Sequence, residues 1–153
     1  MNESYELLCA QLSALVEGER DLIANLSNAS ALLMDALEGL NWAGFYLRKG
    51  EELVLGPFQG KPACIRIPLG RGVCGTAAQQ DEIQLVPDVH AFPGHIACDS
   101  ASNSEIVIPM HSDGAVSAVL DIDSPSLNRF TAEDREGLAA FAAILESACC
   151  WER

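Results

Sequence analysis

Basic residues are scarce in this chain: its 153 residues hold 9 Lys and Arg against 22 Asp and Glu, a formal charge of −13 at pH 7. That balance repels phosphate backbones and leaves no basic stripe to receive them, so nucleic acid is not expected as a partner. Any apolar run of membrane-spanning length is also lacking. The opening residues, Met1-Asn2-Glu3-Ser4-Tyr5-Glu6, have neither the positive nor the apolar region of a secretory signal. No membrane partner and a cytoplasmic location are therefore expected. Internal repeats, low-complexity stretches and Pro/Gly/Ser linkers are missing as well. One domain spanning residues 1–153 is expected, of a size that buries its own core without metal or disulfide staples.

Six cysteines, at positions 9, 64, 74, 98, 149 and 150, show none of the close pairing of disulfide scaffolds or structural zinc sites. In a reducing compartment such thiols are either packed in the core or redox-active. Cys9, Cys149 and Cys150 fit the inert description, with partial exposure open to the adjacent pair Cys149 and Cys150 near a fraying terminus. Cys98 does not, because residues 92–105 form a run of small and polar residues, and reactive side chains concentrate on such loops. His90 and His95 with Cys98, completed by Cys64 or Cys74, would make a metal site. Their scattered spacing argues against one, and no metal is expected.

Leu8, Leu12, Leu15 and Val16, then Leu22, Leu26, Leu33, Leu37 and Leu40, recur at helical spacing and predict two amphipathic helices over one face of a sheet. Residues 41–48 and 52–57 predict a hairpin turning at Lys49-Gly50-Glu51, and residues 64–67 and 83–86 predict short strands. Gly70-Arg71-Gly72-Val73-Cys74-Gly75 reads as a tight turn into a short helix; it lacks the Lys and Ser/Thr of a phosphate-binding loop. Residues 87–103 read as a long loop. Residues 104–111 and 115–122 flank Ser112-Asp113-Gly114, the strongest hairpin signal in the chain. Thr131, with Asp134 three residues on, caps a last helix running through Leu138, Phe141, Ile144 and Leu145. Hairpin-linked strands imply an α+β fold, a mainly antiparallel sheet of about six strands with the N- and C-terminal helices on one face.

If Ser112-Asp113-Gly114 is a three-residue turn, His111 faces Ala115 and Glu105 falls opposite Asp121, with Asp123 on the same face. Ile106, Ile108, Met110, Val116, Ala118, Leu120 and Ile122 then form the apolar face. Three crowded carboxyls push at least one pKa upward, which keeps a proton available at neutral pH for a weakly basic oxygen. The alternative is a solvated strand end with three acids pointing into water. Trp42 and Tyr46, with Gly44 between them, face the same way and form either a pocket wall or core packing.

Several blocks occur in order along the chain: Asn41-Trp42-Ala43-Gly44-Phe45-Tyr46, Leu55-Gly56-Pro57-Phe58-Gln59-Gly60, Pro68-Leu69-Gly70-Arg71-Gly72-Val73-Cys74-Gly75-Thr76, Gly94-His95-Ile96-Ala97-Cys98-Asp99, Ser102-Asn103-Ser104-Glu105-Ile106 and Leu120-Asp121-Ile122-Asp123-Ser124. With them the chain resembles, over essentially its whole length, the free methionine-R-sulfoxide reductases, which are stand-alone GAF domains. The resemblance implies reduction of free L-methionine-(R)-S-oxide to L-methionine through a cysteine sulfenic acid and an intramolecular disulfide. Thioredoxin would be the external reductant, with no bound cofactor. Cys98 matches the family's catalytic cysteine, Cys64 its resolving cysteine and Cys74 its third, auxiliary redox cysteine. Glu105 and Asp123 match carboxyls that engage the sulfoxide oxygen, and Asp121 and Asp88 match acids near the substrate amino group. Trp42 and Tyr46 match the aromatic wall at the methyl-sulfinyl end. Members of the family are commonly dimeric, so the resemblance also implies a homodimer.

Carboxylates beside Cys98 should raise its thiol pKa, so protonated acids or a nearby helix N-terminus must limit that repulsion. The rival from another functional class is a GAF small-molecule sensor with no chemistry of its own. It leaves Cys98, Cys64 and the acid trio without a purpose.

Overall fold

The computed structural model describes residues 1–96, 98 and 100–152. Ala97 and Asp99 of the cysteine-bearing block lie outside the described residues, as does Arg153. Along the chain run α1 (Glu3–Val16), α2 (Leu22–Ala36), β1 (Trp42–Lys49), β2 (Glu52–Gly60), β3 (Arg66–Pro68), α3 (Gly72–Gln80), β4 (Gln84–Val86), β5 (Ser104–Ser112), β6 (Ala115–Ser124) and α4 (Ala132–Ala148). The six strands form one sheet in the order β3-β2-β1-β6-β5-β4, every neighbouring pair antiparallel. The segment expected as a long loop holds one short 3-10 turn, Val89–Ala91.

Helix starts are set by side chains that take up otherwise unpaired N–H groups. Asn2 and Asp21 accept from Tyr5 and Ala24, and Thr131 and Asp134 form the reciprocal capping box the sequence announces. The leucine stripes of α1 and α2, with Leu138, Phe141 and Leu145 of α4, close over Phe45, Ile106, Ile108, Met110, Leu120 and Ile122. Here α1 packs on α4, α2 lies over β1 and β2, and α4 lies over β5. Cys9 and Cys149 are buried in this layer as the sequence suggests, whereas Cys150 at the end of α4 is exposed. The other face of the sheet carries α3 and a second cluster around Trp42, Tyr46, Ile67, Val73, Val107 and Val119.

The β5–β6 register differs from the sequence expectation in two steps of one residue each. The turn has two residues, Asp113 and Gly114, both at positive φ (54° and 79°), so Ser112 pairs with Ala115 and His111 with Val116. A bulge follows, and Met110 pairs with Ala118, leaving Ser117 as the extra residue. Together they shift the pairing by two residues, and Glu105 lies opposite Asp123 rather than Asp121. A shift of two keeps every side chain beyond the bulge on its expected face, whereas a shift of one would have reversed it. Val116, on the turn side of the bulge, is the exception: it joins the second cluster rather than the helix-covered one.

That bulged end is tied down by His111. Its backbone N–H donates to Glu146 Oε2 at 2.5 Å, its Nδ1 lies 2.9 Å from the same oxygen, and its Nε2 lies 2.6 Å from Asp81 Oδ1. Two carboxylate partners require both ring nitrogens to be donors. Burial opposes the charged ring, but hydrogen bonds and charge from Asp81 and Glu146 outweigh it and raise the His111 pKa. The clamp is therefore complete below the unfolded-state pKa of about 6.5 and is lost as pH rises through the higher folded value. His111→Gln is expected to lower Tm by roughly 1–3 °C at pH 6 and to have little effect at pH 9, as thermal melts at the two pH values will read.

Candidate active site

The cavity between the sheet and α3 is floored by three strands. Cross-strand pairing sets Trp42 of β1 beside Asp123 of β6, which in turn faces Glu105 of β5. One step along the same face, Gly44 faces Asp121 and Asp121 faces Val107. Gly44, between Trp42 and Tyr46, lets the Phe58 segment of β2 approach closely and has no room for a side chain of its own. A Cβ there would run into Phe58, whose ring stacks on Trp42 at 5.1 Å between centroids. Tyr46 also stacks on Trp42, at 5.9 Å between centroids, and donates its hydroxyl to Cys64 O at 2.9 Å, while Trp42 Nε1 donates to Lys61 O at 3.2 Å. The two aromatics therefore hold the segment that carries Cys64 as well as walling the cavity.

Cys64 and Cys98 are joined by a disulfide with their Cα atoms 5.3 Å apart. Both are partly exposed. The loop bearing Cys98 is packed closely on the start of α3. Gly72, at φ +63°, would bring a Cβ to 3.3 Å from Ile96 Cγ1, so both its backbone conformation and its neighbours favour glycine. Trp42, Tyr46, Arg71, Gly72, Cys74, His95, Cys98, Ser102, Glu105, Asp121 and Asp123 all line the resulting cavity, whose volume is about 40 Å³.

The acids are not a solvated strand end. Glu105, Asp121 and Asp123 are 7%, 5% and 9% exposed. Burial raises all three pKa values, and for Glu105 and Asp123, charge on Asp121 drives them well above the usual carboxylate range. Asp121 is shifted least because hydrogen bonds from Glu105 and Cys74 favour its ionised form. Asp121 therefore ionises first, and its charge holds protons on Glu105 and Asp123. Ser102 Oγ donates to Asp123 Oδ2 at 3.0 Å. Asp121 Oδ1 and Asp123 Oδ1 have no hydrogen-bond partner, although buried acceptors are normally satisfied.

Cys74 lies 3.9 Å from Glu105 Oε2, and its pKa is raised, first by burial and then by Asp121 and Glu105, so it remains a thiol. Cys74, Glu105 and Asp121 bring ligand atoms within 4.8 Å of one another, close enough for a metal ion. An ion there would have to displace protons from two groups whose surroundings hold them firmly. The His90/His95 grouping weighed from sequence keeps neither sulfur it would need from Cys64 or Cys98, since these are bonded to each other.

Asp88 stands apart. Its carboxylate caps the 3-10 turn by accepting from His90 N at 3.0 Å, and it lines a separate groove with Leu85, Phe92 and Pro93. Two features went unassigned in the sequence. Among the described residues no side chain caps α3, and its first residues, Gly72, Val73 and Cys74, line the cavity at the positive end of the helix dipole. His95 Nδ1 is buried without a partner, and burial lowers the His95 pKa so that the ring is neutral. The bare helix start was legible in the absence of Ser, Thr, Asp or Asn before Gly72.

An antiparallel sheet with helices on one face and a lined cavity under a short helix on the other defines a GAF domain, and the GAF domain family matches residues 8–149. The free methionine-R-sulfoxide reductase of Escherichia coli (strain K12) is 55% identical over 94% of this chain and 87% of its own. That of Saccharomyces cerevisiae is 45% identical over 98% and 88%. The X-ray structure of free methionine-R-sulfoxide reductase from Neisseria meningitidis in complex with its substrate superposes with a TM-score of 0.92 at 46% identity, covering 97% of this chain and 90% of that one. The chain belongs to the free methionine-R-sulfoxide reductase family of GAF domains.

Proposed function

We propose that this chain, acting as one domain over residues 1–153, reduces free L-methionine-(R)-S-oxide to L-methionine. The observation that carries the reading is the meeting, in one cavity, of a Cys64–Cys98 disulfide with two buried carboxyls that keep their protons. Cys98 as thiolate attacks the sulfoxide sulfur while Glu105 or Asp123 gives a proton to the oxygen. Thiolate, sulfoxide and proton become a sulfenic acid on Cys98 and the thioether of methionine. The Cys64 thiol then displaces water from the sulfenic acid, forming the Cys64–Cys98 bond. Because Glu105 and Asp123 are neutral, only Asp121 opposes ionisation of Cys98, and the bare N-terminus of α3 favours it.

Trp42 and Tyr46 enclose the methyl-sulfinyl end, and ionised Asp121 receives the substrate ammonium on its unpartnered oxygen. Cys74 acts as an auxiliary thiol beside Glu105. Thioredoxin, or a dithiol protein like it, reduces the disulfide by exchange. The partial exposure of both sulfurs and of Ile65 beside them, 68% exposed, supports docking of such a partner. A homodimer working in the cytoplasm completes the reading. No metal or organic cofactor enters the reaction. The test is thioredoxin-coupled NADPH consumption with the free R-sulfoxide, the free S epimer and a peptide-bound sulfoxide. Turnover confined to the free R form is expected. Folded, reduced protein with no turnover would return the chain to the sensor class.

A further inference from the structure

Arg71 is the single fixed positive charge among the residues lining the cavity. It is exposed and occupies the N-cap of α3 without capping it. Arg48, Arg66 and Arg129 are each paired with a carboxylate, whereas Arg20, Arg71 and Arg135 have no ion pair among the described residues, and of these Arg71 lines the cavity. A guanidinium on the cavity wall contrasts with a chain of formal charge −13, where acids outnumber bases more than two to one. Its position adds to the field of the N-terminus of α3, whose first residues Gly72, Val73 and Cys74 line the same cavity. Asp121, 5% exposed with an unpartnered oxygen, supplies the opposite pole. The lining is therefore dipolar, with one oxygen of Asp121 that lacks a donor at one pole and a guanidinium without an ion pair among the described residues at the other.

A free amino acid is the ligand that satisfies both poles, because it carries an ammonium and a carboxylate on one carbon. A methionine sulfoxide within a peptide carries neither. We infer that Arg71 is a specificity residue of this site: its guanidinium holds the α-carboxylate of the free amino acid, and that contact discriminates against peptide-bound and amidated sulfoxides. The inference rests on the sulfoxide reductase reading and deepens it. Guanidinium is suited to the task because its planar fork meets both carboxylate oxygens, while a lysine offers a point charge only.

The experiment compares wild type, Arg71→Lys and Arg71→Ala on free L-methionine-(R)-S-oxide and on its carboxamide, with kcat and KM determined separately. For the free acid, Arg71→Ala should lower kcat/KM by about tenfold through KM, the change expected from losing one charge-assisted contact of about 1.4 kcal/mol. Arg71→Lys should recover part of that loss. For the carboxamide, the wild type should already be poor and Arg71→Ala should bring no further loss. Equal losses on acid and carboxamide would indicate a merely structural role and overturn the inference, as would no loss on either. A wild type that does not reduce the free acid would instead overturn the reading on which the inference rests.

Discussion

Replacing Glu105 by Gln is expected to lower kcat by roughly 10²–10⁴-fold, the span that a positioned general acid contributes, while making the protein more stable at neutral pH. The two effects share one cause. Burial and the Asp121 charge raise the Glu105 pKa far above its ordinary value of 4.5. As pH rises past that value the unfolded chain releases the proton while the folded chain keeps it, so folding stability falls until the folded group itself ionises. Glutamine keeps the shape and can still donate to Asp121, but it has no proton to lose. Thermal melts should show near coincidence with wild type at pH 4. At pH 8 they should show a gain of about 3 °C or more for Glu105→Gln, because a carboxyl pKa that folding raises tenfold in proton affinity already costs about 1.4 kcal/mol. A variant less stable than wild type at pH 8 would mean that Glu105 is ionised and paired, not protonated.

The cysteine variants separate the chemical steps. Cys98→Ser should leave sulfoxide reduction at the uncatalysed background, because no other described thiol combines access with a place on the cavity: Cys74 is buried and held protonated. Cys64→Ser should still complete one turnover, yielding one methionine per chain and a sulfenic acid on Cys98. Its steady-state rate should then fall by about tenfold or more, since an external thiol must replace a sulfur held beside the sulfenic acid. Rapid-quench counting of methionine against active sites distinguishes the two. A first turnover missing in Cys64→Ser but present in Cys98→Ser would exchange their roles.

Much of this architecture is written in local pattern. The leucine spacing of α1 and α2, the Thr131 and Asp134 cap and the glycine turns each act within a few residues, and each element lies within a few positions of where those signals put it. The β5–β6 register was not fully legible because it depends on backbone geometry: Asp113 adopts positive φ, and Ser117 is squeezed out into a bulge. The acid cluster tolerated that error because the two steps sum to an even shift. Its burial was a different matter. Nothing in the alternation of residues 104–124 says that α3 and the loop after residue 86 fold back over the acidic end, and burial is what keeps those carboxyls protonated. The role of Asp88 as a cap was equally hidden, since it depends on the chain turning into a 3-10 helix directly after it.

The most direct test of the mechanism is a single turnover of fully reduced protein with one equivalent of free L-methionine-(R)-S-oxide. The products are then alkylated under denaturing conditions and analysed as peptides by mass spectrometry. One methionine per chain, a Cys64–Cys98 linked peptide and an alkylated Cys74 are the predicted result. Methionine formed with Cys98 linked to Cys74 and Cys64 alkylated, or sulfoxide recovered intact from folded protein, would contradict the mechanism.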